Sequence, residues 1–177
     1  ITIKGVKVEK VLVVEKVQIR RELYLGFVLN RAERSIDFLA SSMGGVDVED
    51  MVRERPEALV RYSIDPLIGL QDFMIRNAFK RLDLDKSFYG YFRSIVYSLY
   101  RLFIEYDCEL AEINPLAVSE KERLVAVDSK VVIDENSLFR HPDLLEIKKE
   151  RLEEVGEVEK KAEALGLSYV KLDGDIG

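Results

Sequence analysis

Two segments rich in apolar side chains, residues 22–29 and 35–41, are separated only by the short polar run from Asn30 to Arg34. A connection this short joins neighbouring strands that run in opposite directions, because parallel strands need a crossover of about a dozen residues or more. The pair therefore predicts a β-hairpin. Any fold for this chain must accommodate an antiparallel sheet that contains this hairpin.

The remaining pattern predicts helices packed against that sheet. Further strands are predicted at residues 11–15 (buried), 58–64, 109–118, 123–132 and 168–172. Helices are predicted at residues 46–54, 70–82 and 144–165, with an irregular loop at 134–142. One more long helix has apolar residues spaced three and four apart, which is typical of a core-packing face: Phe88, Phe92, Ile95, Val96, Leu99 and Phe103. The fold class is therefore α+β.

Composition narrows the class of protein. Hydrophobic residues make up 47% of the 177 residues, enough for a buried core, and no apolar run approaches the roughly 20 residues that cross a bilayer. The net charge of −6 disfavours a nucleic-acid partner, because such proteins present basic surfaces. The single cysteine, Cys108, excludes an internal disulfide and suits a cytoplasmic location, where we expect a buried, unreactive thiol.

Polar residues are concentrated on the last pair of predicted strands before the loop. Glu112 and Asn114 are two apart, so on a strand their side chains share a face, and Asp128 and Lys130 repeat this spacing. If the hairpin turns near Lys121, Asn114 lies opposite Asp128 and Glu112 lies opposite Lys130. Cross-strand neighbours on one face are roughly 5 Å apart at Cβ.

This face suits magnesium, which prefers oxygen ligands and is usually held by one or two carboxylates together with substrate phosphates. Asn114 and Asp128 supply an amide and a carboxylate oxygen, and Lys130 neutralises Glu112 or contacts phosphate. The alternative is a solvated face with an ordinary cross-strand ion pair. Pro115 predicts irregular backbone beside these groups, because proline disfavours a central strand.

Two earlier glutamates are candidates for nucleotide contacts. Glu15 ends the first predicted strand, where a carboxylate can accept from a purine amino group, and Glu22 begins the next strand, where it can accept from a ribose hydroxyl. The alternative for both is a solvated surface carboxylate. The only histidine, His141, has no nucleophile or carboxylate spaced to work with it, so we interpret it as a structural or surface residue.

Several motifs occur in an order that resembles the β-subunit family of succinate–CoA ligases. They are ELYLG at 22–26, GGVDVE at 44–49, EINPL at 112–116, DSK at 128–130, NSLFRHPDL at 136–144 and YVKLDGDIG at 169–177. EINPL is also similar to ATP-citrate lyase and ADP-forming acyl-CoA ligases, whereas NSLFRHPDL is narrower and favours ligases of succinate or malate.

The resemblance implies an ATP-grasp fold, with the C-terminal nucleotide-binding subdomain and part of the preceding one. It implies that Asn114 and Asp128 bind Mg²⁺, and that Glu15, Val17 and Glu22 contact ATP or ADP. The reaction it implies is reversible formation of succinyl-CoA from succinate, CoA and ATP.

The resemblance also implies a partner. Glu112 corresponds to the glutamate that steadies a phosphohistidine, and that histidine belongs to an α subunit. His141 is therefore not the phosphorylated group. Met43 stands where the family usually has glutamate, so we expect an altered loop there.

The expected organisation is an ATP-grasp region at residues 1–150, followed at 151–177 by a connecting helix and the first strand of a CoA-ligase domain. Because the family's N-terminal phosphate-binding lysine and most of the CoA-ligase domain are expected outside this sequence, we expect the segment alone to be inactive. Malate–CoA ligase, another ADP-forming acyl-CoA ligase and a non-catalytic subunit-contact module stay open as alternatives. The preference between ATP and GTP also stays open.

Overall fold

The computed structural model describes residues 2–3, 6–7, 11, 13–46, 48, 50, 53, 55–153, 158, 161–162, 165 and 167. The chain forms two compact units, Ile1–Val132 and Ile133–Gly177. The first contains the sheets and two of the helices described below. The second contains a 3-10 helix and the last helix.

The sheets are antiparallel in every strand pairing for which a register is resolved. The strands are β1 (Thr2–Ile3), β2 (Val6–Lys7), β3 (Ile19–Asn30), β4 (Ser35–Ser41), β5 (Leu59–Ile64), β6 (Cys108–Ser119), β7 (Leu124–Ala126) and β8 (Ser129–Ile133). The first two form a small sheet, and the main sheet has the order β5-β4-β3-β6-β7, with β8 also paired to β6. The predicted hairpin is confirmed by the pairing of β3 with β4, which closes at Asn30 and Ser35.

Three helices and three short 3-10 helices have both ends within the described residues. They are α1 (Asp72–Arg81), α2 (Tyr89–Glu105) and α3 (Pro142–Glu153), with 3-10 helices at Pro56–Ala58, Lys86–Phe88 and Glu135–Arg140. The long helix α2 buries Phe92, Val96, Leu99 and Phe103, which confirms the predicted apolar face. It packs on β3, where the Phe27 ring lies 6.2 Å from that of Phe103.

The main sheet has a different environment on each face. Side chains alternate along β3, so Leu23, Leu25 and Phe27 point together into the helix-covered core. Tyr24 points to the other face, where it forms a small apolar cluster with Leu39. Partly buried residues packed against this cluster are Val28, Met43, Val48 and Leu59. The second face also carries the polar residues of β6.

The predicted buried strand at residues 11–15 is wrong. Residues 11 and 13–15 form no regular structure, and Val11, Val13 and Val14 are 74%, 86% and 69% exposed. An apolar run becomes a buried strand only where a neighbouring strand pairs with it and other side chains cover it. The sequence of residues 11–15 alone shows neither whether a strand pairs with the segment nor whether other side chains cover it.

Two further predictions needed correction. The strand expected at 123–132 is divided into β7 and β8. The irregular loop expected at 134–142 instead contains the 3-10 helix Glu135–Arg140, because the Asp134 carboxylate accepts from the backbone N–H of Asn136 at 3.0 Å and its carbonyl accepts from the Ser137 hydroxyl at 2.7 Å. Such local side-chain contacts order a polar segment without any apolar periodicity.

Some predictions fall partly or wholly outside the described residues. The predicted helix at 46–54 is helical at Val48, Asp50 and Arg53, and the strand predicted at 168–172 lies outside them altogether. No helix among the described ranges is long and apolar enough to cross a membrane.

Candidate functional site

A cavity of about 370 Å³ opens on the polar side of β6. Its lining residues come from three places in the sequence: Gly45, Val46, Glu112, Asn114, Pro115, Asp128, Ser129 and Lys130. The structure thus brings together the four polar residues that the sequence placed on one hairpin face, and adds a glycine-containing loop that follows β4.

The hairpin register explains why those four residues meet. The strand β6 pairs with β7 through Leu116↔Ala126, Ala117↔Val125 and Val118↔Leu124, which confirms the predicted register. Farther along, the backbone N–H of Asn114 donates to the carbonyl oxygen of Asp128 at 3.1 Å. The side chains of Asn114 and Asp128 therefore enter the cavity from backbone positions that lie directly opposite each other.

The backbone is irregular at this point, as Pro115 predicted. The pairing of β3 with β6 shifts register between Leu23 and Leu25, opposite the stretch that contains Asn114 and Pro115. The peptide bond between Asn114 and Pro115 is cis. The register shift means that β6 has one more residue than β3 where it borders the cavity.

The Asn114 amide is held by the loop after β4. Its Oδ1 accepts from the backbone N–H of Gly45 at 2.7 Å, and its Nδ2 donates to the carbonyl of Val46 at 2.9 Å. Because one contact needs an acceptor and the other a donor, they fix which way the amide is turned. Oδ1 keeps a second lone pair for a ligand.

The paired glycines allow that loop to approach β3. The Gly44 N–H donates to the Glu22 carbonyl at 3.1 Å, and a Cβ at Gly44 would lie 2.5 Å from the Leu23 carbonyl oxygen. Gly45 has a φ of +72°, and a Cβ there would lie 2.4 Å from Glu22 Oε2. In the sequence, these glycines stand out only as part of the motif GGVDVE at 44–49. Their position shortly after the strand predicted at 35–41 is the signal that could have indicated a closely packed loop.

The Glu112 side chain is held by a residue of the neighbouring strand β3. The hydroxyl of Tyr24, on β3, donates to Glu112 Oε2 at 2.9 Å. Lys130 lines the same cavity, but in the part of the chain that the structure describes it makes no ion pair with Glu112. The suggested neutralisation of Glu112 by Lys130 is therefore replaced by a hydrogen bond from a buried phenol.

The donor set at the cavity fits a magnesium ion. Asn114 offers Oδ1, and Asp128 offers a carboxylate of which Oδ1 accepts from the Ser129 N–H at 2.8 Å. Over the described ranges, no group of three or more His, Cys, Asp and Glu side chains is placed to hold a metal. Mg²⁺ is usually bound through one or two carboxylates with several waters and phosphate oxygens, so one amide and one carboxylate are a suitable set.

The nucleotide-contact candidates lie in different places. Glu15 is exposed and Val17 is half-buried in the irregular segment before β3, and neither lines the cavity. Glu22 is exposed on β3, with its carboxylate beside Gly45. The structure thus brings Glu22, but not Glu15 or Val17, next to the loop that holds Asn114.

Cys108 is buried, as predicted, and its thiol donates to the Leu102 carbonyl at 3.8 Å. Burial, assisted by the nearby negative charge of Asp107, raises the pKa of the Cys108 thiol to about 11. The thiol is therefore protonated at neutral pH. His141 is half-buried, and its backbone N–H donates to the Leu138 carbonyl at 3.0 Å.

Comparison with known proteins gives a consistent family relationship. A family described as ATP-grasp domain matches residues 1–118. The chain is 44% identical over 176 residues to a protein of Desulfurococcus amylolyticus and 42% identical over 176 residues to one of Bacteroides thetaiotaomicron. Both relatives are named as the β subunit of an ADP-forming succinate–CoA ligase. The chain spans 46% of the length of each relative.

The fold is also found among solved structures. ATP citrate lyase from Methanothrix soehngenii, solved in complex with citrate and coenzyme A, superposes with a TM-score of 0.53 at 16% identity. The match covers 68% of this chain and 26% of that protein. At this level of identity the similarity establishes a shared fold.

Proposed function

The chain belongs to the ATP-grasp domain family, and from this premise we propose that it is the nucleotide-side part of a succinate–CoA ligase β subunit. In this role it binds Mg-ATP or Mg-ADP and exchanges a phosphoryl group with a phosphohistidine on an α subunit. The complete enzyme is then an ADP-forming acid–thiol ligase that makes succinyl-CoA reversibly. The relatives that share 44% and 42% of residues with this chain support that choice of ligase.

The observation that carries the proposal is the cavity in which Asn114, Asp128 and Glu112 meet. In the proposal, Asn114 Oδ1 and the Asp128 carboxylate hold Mg²⁺. When bound there, the ion supplies positive charge that offsets the charge on the moving phosphoryl group. Glu112, two residues from Asn114 on the same strand face, steadies the partner histidine.

In the proposal, the nucleotide is bound by residues on β3 and in the segment before it. Glu22, whose carboxylate lies beside Gly45, accepts from the ribose, while Glu15 and Val17 contact the base. Their exposed or half-buried positions leave them accessible to a ligand. Residues 1–150 form the nucleotide-binding region, 151–177 lead into a CoA-ligase domain, and the protein works in the cytoplasm.

The test is calorimetric titration of the complete ligase with ADP, with and without Mg²⁺, for the parent protein and Asp128→Ala. We expect the variant to lose Mg²⁺-dependent affinity by at least about tenfold, since even residues behind metal ligands contribute that much. The fold should be unchanged, because Asp128 is exposed.

Glu120→Ala is a matched control, because it removes another exposed carboxylate from the same hairpin, in the turn. Its ADP affinity should equal that of the parent protein. An Asp128→Ala enzyme that binds ADP with the original dependence on Mg²⁺ would show that the metal assignment is wrong.

A further inference from the structure

Tyr24 is a buried phenol whose hydroxyl reaches a residue of the candidate site. It lies on β3 and is 1% exposed, and its hydroxyl donates to Glu112 Oε2 at 2.9 Å. Glu112 is half-buried and lines the cavity. A hydrogen bond to a charged acceptor is among the stronger ones in proteins, and it is stronger where water is excluded.

Gly26 provides the space for this contact. It is paired directly with Glu112 across β3 and β6. A Cβ at Gly26 would lie 2.6 Å from the Tyr24 hydroxyl oxygen and 3.3 Å from Glu112 Cβ. The phenol therefore lies along the strand, over the glycine, and reaches the carboxylate on the neighbouring strand. With any larger residue at 26, the ring and the carboxylate compete for the same space.

The Tyr24 ring is also held by apolar packing. Tyr24 and Leu39 form the buried centre of the small cluster on this face, and Met43 packs against it. Its ring therefore has little freedom to follow the carboxylate if Glu112 rotates. A donor fixed by packing restricts the group that it binds to one orientation.

We propose that Tyr24 is a positioning residue for phosphoryl exchange. Its hydroxyl, for which Gly26 leaves room, holds the Glu112 carboxylate in one orientation. In that orientation Oε1 accepts a hydrogen bond from the N–H of the phosphorylated imidazole on the partner subunit. The inference rests on the proposed function of Glu112. The contact occupies Oε2, and among the described residues no hydrogen bond to Oε1 is found. One carboxylate oxygen thus serves the protein and the other serves the histidine.

The test uses the complete ligase with its histidine-bearing subunit, and compares Tyr24→Phe, Glu112→Ala and the double variant. Phosphorylation of the histidine by ATP is followed in a single turnover, and ADP affinity is measured separately. Tyr24→Phe keeps the ring, so it should slow phosphorylation by about tenfold to a hundredfold while leaving ADP affinity unchanged.

The double variant separates positioning from a general loss of structure. If Tyr24 acts through Glu112, Tyr24→Phe should add nothing to the defect of Glu112→Ala, because alanine has no side-chain acceptor for the phenol and the two effects are not additive when one residue works through the other. Gly26→Ala should reproduce the Tyr24→Phe rate by displacing the phenol. Tyr97→Phe is the control, because it removes a phenol-to-carboxylate hydrogen bond of 3.1 Å to Asp72, which does not line the cavity.

The outcomes are distinguishable. A slow Glu112→Ala enzyme with a normal Tyr24→Phe enzyme overturns the positioning role and leaves the proposed function standing. If Tyr24→Phe slows phosphorylation by the same factor in the parent enzyme and in the Glu112→Ala enzyme, the positioning role is also overturned, because that pattern indicates a structural effect. A normal phosphorylation rate in Glu112→Ala overturns both the role of Glu112 and the inference built on it.

Discussion

The backbone N–H of Asn114 donates to the carbonyl oxygen of Asp128 at 3.1 Å, so the two proposed metal ligands are joined by a strand-type hydrogen bond as well as by their shared cavity. Their separation is set by backbone pairing, which is more rigid than a pair of surface side chains. The Asn114 amide is then fixed by the loop that contains Gly45 and Val46. The site therefore depends on three separate segments of the chain.

The first prediction concerns Asn114. Asn114→Ala removes the contacts to both Gly45 and Val46, so we expect it to lower stability by about 1–2 kcal/mol. It should also raise the Mg²⁺ concentration needed for ADP binding by about tenfold or more. Asn114→Asp keeps an oxygen for the Gly45 N–H and should retain more of the Mg²⁺ response. Chemical denaturation and ADP titration over a range of free Mg²⁺ measure both effects.

A suitable control is Asn77→Ala, an exposed position on α1 outside the cavity. It should change neither the Mg²⁺ response nor the stability by more than about 0.5 kcal/mol. An Asn114→Ala enzyme with the parent's Mg²⁺ response would exclude this amide as a ligand.

The second prediction concerns the paired glycines. Gly44→Ala puts a Cβ 2.5 Å from the Leu23 carbonyl oxygen, and because this atom belongs to the backbone and not to the end of a flexible side chain, the loop must shift away from β3. Gly45→Ala meets the Glu22 carboxylate, which is the flexible end of an exposed side chain, but its φ of +72° still costs about 1–2 kcal/mol. We therefore expect Gly44→Ala to lower the free energy of unfolding more than Gly45→Ala does, as measured by chemical denaturation.

Gly90→Ala provides the contrast. Its Cβ would meet nothing within 4 Å, and the residue lies in α2, where alanine is favoured over glycine. This variant should gain about 0.5–1 kcal/mol. If Gly44→Ala were as stable as the parent protein, the close approach of the loop to β3 would be contradicted.

The third prediction concerns the pH dependence of stability. Burial raises the pKa of Cys108 from its ordinary value of 9.0 to about 11, so the folded protein holds this proton more tightly than the unfolded chain does. The stabilising contribution is therefore complete below about pH 9 and is lost as the pH rises through about 11. Denaturant unfolding between pH 8 and pH 11 should show this decline.

Cys108→Ala isolates the effect, because alanine does not titrate. The slope of stability against pH should be shallower in this variant, whatever its absolute stability. Identical slopes in the parent and the variant would assign the decline to other groups. Alkylation of Cys108 at pH 7.5 should also be slow in the native protein, because a buried thiol with a raised pKa has little thiolate.

The elements that could be predicted from sequence are those encoded by neighbouring residues. The hairpin of β3 and β4 was predictable because its turn is short and polar, and the core face of α2 because Phe92, Val96, Leu99 and Phe103 recur at helical spacing. The register of the later hairpin was predictable for a similar reason. Once the position of its turn is set, every pairing follows from counting.

The apolar run at residues 11–15 shows where such reasoning fails. Its composition is typical of a buried strand, yet Val13 is 86% exposed. Pairing and coverage are properties of the surrounding structure, so the same local pattern occurs with or without them. The opposite error occurred at Asp134, where side-chain contacts order a segment that lacks apolar periodicity.

By itself, the sequence predicted that Glu112, Asn114, Asp128 and Lys130 share one face, because side chains alternate along a strand and a turn near Lys121 pairs the two strands in that register. Only the tertiary structure decided what holds them. Gly45 reaches Asn114 across 69 positions of the chain, and Tyr24 reaches Glu112 across 88. Such contacts depend on which strands become neighbours and on the space that glycine leaves between them. No periodic pattern records either property, because both arise only when distant segments pack together.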